Sequence, residues 1–274
     1  MNRLLIIIVL YECKVKEALS YISLLNSSEH LSESKLVLWD NSPLIQSITN
    51  DISSLKYVEY IHAPENISLS KIYNRIIQEN EDYDYMIILD QDSSFSGDYL
   101  EKLNRATIKH PYINLFLPLI KSGQTIVSPG DYQIFKGRYW KKERFGIMNA
   151  KHILAINSGM AINFNYLKNI YKGYDERLRF YGTDTSFMLE YTKENDFLFV
   201  IDCIFQHKSA LLDRDEDINM QIFRLNNLFS AWRIIHEYKV FNLILIHIYI
   251  LISTFKLVIK YRNIKYFKLL NIYL

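Results

Sequence analysis

Residues 83–96 read YDYMIILDQDSSFS. Tyr85 to Leu89 form an apolar run, Asp90-Gln91-Asp92 end it, and small polar residues follow. This is the pattern of a buried strand that stops at two carboxylates. In an open α/β sheet, ligands bind outside the carboxyl ends of the strands. Side chains alternate along extended chain, so Asp90 and Asp92 at i and i+2 point to one side. Two hard oxygen ligands converging on one point suit Mg²⁺ or Mn²⁺ holding a diphosphate. The competing reading is a pair of turn-capping carboxylates.

Upstream, Leu4 to Leu10 is apolar on both alternating faces, as in a strand covered on both sides, and Ala18, Leu19, Ile22 and Leu25 have helical spacing. Lys35 to Trp39 is a second strand, stopped by Asp40-Asn41-Ser42-Pro43. Asp40 therefore sits at a strand's carboxyl end, where it either accepts from a nucleotide base or ribose or serves as a loop residue. Tyr57 to Ile61 is a third strand. Ile72, Ile76 and Ile77 then mark a helix with Ser68 and Ser70 as candidate N-caps, a start suited to anions. Strand, helix, strand, strand, helix, strand predicts a mostly parallel sheet in a Rossmann-like α/β sandwich. The sequence contains neither G-x-G-x-x-G after the first strand nor G-x-x-x-x-G-K-[ST], which removes the dinucleotide and P-loop fingerprints.

Downstream, Tyr99 to Ile108 reads as a helix and Ile113 to Ile120 as a strand cut by Pro118. Residues 121–150 hold four of the eight glycines and many charges, the composition of a loop-rich insertion and a candidate acceptor-side lid. In Asn157-Ser158-Gly159, the glycine allows close approach of a ligand or a neighbouring backbone. Thr183 reads as the N-cap of a helix whose apolar face is Phe187, Met188 and Tyr191. Asp184 falls in its first turn, where the macrodipole favours a carboxylate, as a proton acceptor or as a stabiliser of the helix start. Phe197 to Ile201 is a further strand, followed by His207, which suits either a metal or diphosphate contact or a structural hydrogen bond.

Two cysteines in 274 residues make neither a disulfide framework nor a zinc cluster. A net charge of +2 argues against a dedicated nucleic-acid binder. Residues 233–274 carry seven Lys/Arg against one acid, leaving the rest of the chain net acidic. Asp213 to Gln221 is strongly charged and reads as exposed. Ile222 to Tyr238 has helical spacing. Val240 to Phe255 is apolar for 16 residues with four polar interruptions, short of the roughly 20 residues of a comfortable span. With Lys256, Lys260, Arg262, Lys265 and Lys268 behind it, this tail reads as a basic amphipathic region for an anionic membrane surface, or as a packing helix. The expected division is residues 1–212 as the main domain and 213–274 as a C-terminal helical region.

In this order, LVLWDNSP, ENISLSKIYNRII, MIILDQDSSF, NSGMAI, YDERLRFYGTDTSF and FQHKSA resemble the motifs of the family 2 glycosyltransferases. The Asp-Gln-Asp-Ser form resembles the bacterial rhamnosyltransferase-like branch. The chain departs from the family at Ile67-Ser68, where a Gly is usual, and at Thr183-Asp184, where Glu-Asp is usual. The resemblance implies a GT-A (nucleotide-diphospho-sugar transferase) fold and inverting transfer of a sugar to an acceptor hydroxyl. The donor it implies is dTDP-rhamnose first and a UDP-hexose next, and the acceptor is a lipid-linked saccharide at the inner face of the cell membrane. It implies Asp184 as general base, Asp90, Asp92 and His207 as ligands of Mg²⁺ or Mn²⁺, and Asp40, Asn66, Lys71, Asp90 and Gln91 around the nucleotide-sugar. No nucleic-acid partner is expected, and a homodimer is left open. The alternative is a non-catalytic nucleotide-binding or scaffold subunit on the same frame.

Overall fold

A computed structural model of the chain describes residues 2–27, 31, 33–46, 57–207 and 217–273. Lys208 and residues 213–216 of the charged segment, with the expected boundary at 212/213, lie outside the described residues. Thirteen described strands are numbered in chain order. The first four are β1 (Leu4–Leu10), β2 (Lys35–Asp40), β3 (Val58–His62) and β4 (Tyr85–Asp90). β1 lies between β2 and β4, β2 pairs with β3, and all these pairings are parallel. Beyond β4 the principal sheet continues through β12 (Met160–Asn163), β6 (Leu115–Ser122), β13 (Phe197–His207) and β10 (Gly146–Asn149). β12 is antiparallel to both its neighbours, whereas β6 and β13 are parallel.

Both faces of this sheet are buried, as its unbroken apolar strands require. Leu5, Ile7, Met86 and Ile88 enter one core with Ile72, Tyr73 and Ile76 of helix α2 (Leu69–Glu79). Ile6, Ile8, Ile87 and Leu89, one residue out of phase, enter the other with Tyr21 and Leu24 of α1 (Leu19–Leu25) and Tyr99 and Leu103 of α3 (Tyr99–Lys109). Each such aliphatic side chain contributes roughly 1.5–3 kcal/mol when withdrawn from water.

Pro118 does not cut its strand. β6 runs through it, and the partner β13 shifts register between Val200 and Ile204, just where Leu117 and Leu119 flank the proline. A bulge in the partner removes the need for the missing N–H. Residues 121–150 also depart from expectation. They are largely strand: β7 (Thr125–Ser128), β8 (Gly130–Gln133), β9 (Lys136–Tyr139) and then β10. β8 pairs with β9 and with β11 (Ile153–Leu154) in a second, three-stranded sheet. Gly159 is packed against the side chains of Pro118 and Phe205, which a Cβ there would meet at 2.4 and 2.8 Å. Gly159 thus admits these side chains as well as the neighbouring backbone of β4, where its N–H donates to Ile88 O at 2.7 Å.

After the short α4 (Phe164–Asn169), α5 spans Thr183–Glu194. Two long helices follow β13, α6 (Ile218–Ile235) and α7 (Val240–Tyr261). They form a third core in which Phe229, Trp232, Ile246 and Ile250 meet Phe135 from the β8–β9 turn and Tyr266 and Leu269 from the last segment. At 22 residues, α7 outruns its apolar stretch because Lys256 and Lys260 sit on its exposed side, where a helix carries charge without interruption. By length and composition α7 is long and apolar enough to cross a membrane.

Candidate active site

Asp90 is the last residue of β4, and the backbone then turns. Asp92 therefore reaches Asp90's neighbourhood through a turn and not through alternation along a strand. The two-residue strand β5 (Ser93–Ser94) leaves that turn and pairs antiparallel with the end of β13, setting Ser93 opposite His207. Nδ1 of His207 lies 3.2 Å from Asp92 Oδ1 and 3.0 Å from Ser93 Oγ. Ser93 Oγ is 2.7 Å from Ser158 Oγ, which accepts from Asp90 N–H at 3.2 Å. Asp90, Asp92 and His207 each offer a ligand atom, all within 4.8 Å of one another. His207 is the last residue of β13, on the strand itself and not in a loop beyond it.

The electrostatics suit a cation. Burial pushes the Asp90 carboxyl up to about 6, with His207 opposing the shift and Asp92 and Asp184 adding to it. Burial alone would lower the His207 imidazole, but the contact with Asp92 and the nearby Asp90 raise it above its ordinary value. Such crowding of anionic groups at a strand end is what a divalent ion relieves. Two carboxylates and an imidazole are a chemically sound donor set for Mg²⁺ or Mn²⁺.

Asp184 stands in the first turn of α5. The cap is Gly182, at φ 85°, and not Thr183, which is the first helical residue. A Cβ on Gly182 would meet Ala231 at 2.8 Å and Ile235 at 3.0 Å, so α6 rests directly on the start of α5. Asp184 Oδ1 accepts from Thr185 N–H at 2.6 Å, and burial raises its carboxyl above the ordinary value despite that hydrogen bond. Asp90, Asp92, His207 and Asp184 line one cleft of about 810 Å³. Tyr73, fully buried with its ring centroid 5.2 Å from that of Tyr174 and tilted by 59° to it, lies close enough to Asp90 and Asp184 for both to add to the effect of burial in holding its hydroxyl protonated.

The remaining expected residues sit elsewhere, none of them among the residues lining this cleft. Asp40 is fully buried and accepts from Ser42 N–H and Gln46 N–H, each at 3.0 Å, and from the Tyr60 hydroxyl. Asn66, at φ 47°, accepts from Asn41 Nδ2 at 2.9 Å. Gln91 bridges both backbone groups of Tyr11, and Lys71 is exposed on the first turn of α2. These four shape and border the loops after β1, β2 and β3.

The rest of the cleft escaped the sequence reading. Lys136, Arg138 and Tyr139 of β9, Phe223, Arg224 and Trp232 of α6, and Tyr249 of α7 all line it. Phe135, Trp232 and Tyr249 pack mutually, with ring centroids 5.2 to 5.7 Å apart. Their sequence separation hides them from any local period. The glycine- and charge-rich composition of residues 121–150 was the available signal.

No protein-family model matches the sequence, and no curated protein matches it significantly. Solved structures do. TarS residues 1–349 from S. aureus in complex with UDP-GlcNAc superposes with a TM-score of 0.57 at 14% identity, over 85% of this chain and 65% of that one. GalNAc-T7 with UDP, GalNAc and Mn²⁺ superposes with a TM-score of 0.61 at 11% identity, over 86% and 48%. This chain thus spans about two thirds of the first and about half of the second. Its central, mostly parallel sheet with C-terminal helices is the GT-A-like fold of these glycosyltransferases.

Proposed function

We propose that the chain is an inverting, metal-dependent glycosyltransferase. The observation that carries this reading is the placement of the Asp90, Asp92 and His207 ligand atoms in the same cleft as the half-buried carboxylate of Asp184. Asp90, Asp92 and His207 would hold the divalent ion, which supplies charge neutralisation to the leaving diphosphate when bound. Asp184 takes the proton of the acceptor hydroxyl as its oxygen forms a bond to the sugar's anomeric carbon. The bond from that carbon to the diphosphate oxygen breaks, and the electron pair leaves with the nucleotide.

The donor we favour is dTDP-rhamnose, from the Asp-Gln-Asp-Ser form of the motif, with a UDP-hexose next, since TarS and GalNAc-T7 bind UDP or UDP-GlcNAc. The acceptor we favour is a lipid-linked saccharide at the inner membrane surface. In support, Ile244, Ile248, Leu251, Ile252, Phe255 and Ile259 fall on one exposed side of α7, with Lys256, Lys260 and Arg262 exposed beside them. The test is nucleotide release from dTDP- and UDP-sugars by the full chain with Mn²⁺ and membranes carrying lipid-linked saccharides. Metal-dependent binding of dTDP or UDP without release under any donor would instead favour a scaffold subunit.

A further inference from the structure

Ser93 and Ser158 are both 0% exposed, so bulk water reaches neither hydroxyl. They lie directly behind the candidate metal ligands. Asp90 N–H donates to Ser158 Oγ at 3.2 Å, the two hydroxyl oxygens are 2.7 Å apart, and Ser93 Oγ is 3.0 Å from His207 Nδ1. That nitrogen is in turn 3.2 Å from Asp92 Oδ1. One run of contacts therefore joins all three ligand residues through two serines.

The serines are themselves fixed by packing. Ser93 opens β5, which pairs with the end of β13. Two residues beyond it, Phe95 stacks on Phe205, with ring centroids 4.4 Å apart and planes 14° from parallel, and Tyr99 meets both rings edge-on. Phe205 stands two residues before His207, so this stack secures both strand ends. Ser158 precedes β12, held between Asn157, whose carbonyl accepts from Met160 N–H at 2.9 Å, and Gly159, whose carbonyl accepts from the Tyr99 hydroxyl at 2.9 Å.

An imidazole serves a cation only when its ring is turned to aim a nitrogen at it, and the partner of the ring's nitrogens sets that orientation. A hydroxyl gives or takes a hydrogen bond, so Ser93 can hold Nδ1 in either tautomer. In a dry setting these bonds meet no competition from water. The imidazole also matters unequally to different ions. Mg²⁺ prefers oxygen ligands and keeps its waters, whereas Mn²⁺ accepts mixed nitrogen and oxygen sets.

Resting on the metal-dependent reading above, we propose that Ser93 and Ser158 are positioning residues that hold His207 as a ligand and thereby tune the site toward Mn²⁺ over Mg²⁺. The Asn157-Ser158-Gly159 segment thus serves the metal centre from behind.

The experiment is calorimetric titration of the full chain with Mn²⁺ and with Mg²⁺, each alone and with UDP. Ser93→Ala and Ser158→Ala, with unchanged circular dichroism spectra, should each bind Mn²⁺ about tenfold more weakly, while Mg²⁺ affinity stays within about threefold. Ser93→Cys, which keeps the volume with a weaker hydrogen-bonding group, should fall between Ser93→Ala and the unmodified protein. Added to His207→Ala, Ser93→Ala should cost less than about twofold further, because the hydroxyl acts through the ring.

Unchanged Mn²⁺ affinity in either alanine variant overturns the proposal, as does an equal loss for the two ions. So does an undiminished cost of Ser93→Ala in the His207→Ala background, which would make the serine a strut of β5 alone. Where the unmodified protein binds Mn²⁺ and the serine variants bind it equally well, this inference falls and the transferase reading stands. Where the unmodified protein binds no Mn²⁺, alone or with UDP, both fall. The expected metal pattern without nucleotide release from any sugar donor would keep the serines' role and sink the transferase reading.

Discussion

His207 Nδ1 stands 3.2 Å from Asp92 Oδ1, joining the end of β13 to the turn that follows β4. The contact depends on the pairing of Ser93 with His207, so the shape of the candidate metal site is set by sheet register. Asp92→Ala or His207→Ala should weaken Mn²⁺-dependent binding of UDP or dTDP by about 10–100-fold, and EDTA should abolish it in the unmodified protein. Calorimetry with and without Mn²⁺ checks this, and unaltered affinity in both variants would remove the two residues from the site.

Asp184→Asn removes the proposed proton acceptor and keeps the shape. Nucleotide affinity should stay within about twofold, while kcat falls by about 10²–10⁴-fold. In the unmodified protein the proposed base must be ionised to act, and burial raises the Asp184 carboxyl. The rate should therefore fall as pH drops through a value above the ordinary carboxylate range. A variant turning over normally would identify Asp184 as a helix-start stabiliser.

Asp90 should cost the metal-free protein stability. Its carboxyl is pushed up to about 6 in the fold, so the folded state holds its proton more tightly than the unfolded chain does. That contribution favours folding below the unfolded value and is lost as pH rises through about 6. At pH 7 Asp90→Asn should stabilise the metal-free protein by about 1–2 kcal/mol, discounted for partial exposure, while losing Mn²⁺ binding. Thermal unfolding in EDTA at pH 4.5 and pH 7 gives the comparison. A Tm gain at pH 7 no larger than at pH 4.5 would contradict it.

Gly182 has φ 85° and touches Ala231 and Ile235. Gly182→Ala adds a strained backbone and a clash, and should cost roughly 2–4 kcal/mol. Denaturant unfolding measures the loss. A cost below about 1 kcal/mol would show that α6 yields readily to a methyl group there.

Ile248, Leu251 and Phe255 are each 47–48% exposed on α7 and lie away from the buried Ile246 and Ile250. Changing all three to Ser should leave the fold intact and reduce co-sedimentation with phosphatidylglycerol vesicles by at least about tenfold. Unchanged partitioning would point to a protein partner for this surface instead.

The β1 to β4 framework could be read from the chain because strands buried on both faces write their position as continuous apolar runs. Asp90 and Asp92 were visible as the end of such a run, and Asp184 as an acid in a helix's first turn. Their neighbours were not. Tyr73 lies within the apolar pattern of α2, and Trp232 meets Phe135 only after the chain has crossed the whole main sheet. Asp40 stands at the strand end where a ligand contact was expected, and its carboxylate accepts from Ser42, Gln46 and Tyr60. A strand end announces its location, whereas the partners its side chain takes, here Ser42 and Gln46 in the following loop and Tyr60 on the next strand, depend on how that loop folds back.

The rings that α6 and α7 contribute come from a stretch of polypeptide separate from the one bearing the acids and the imidazole. Natural variation in residues 218–261 can therefore re-tailor what that side of the hollow admits without disturbing the ionic groups. Exchanging this arm for another, with its seat at Gly182 preserved, is a direct route to re-targeting the scaffold.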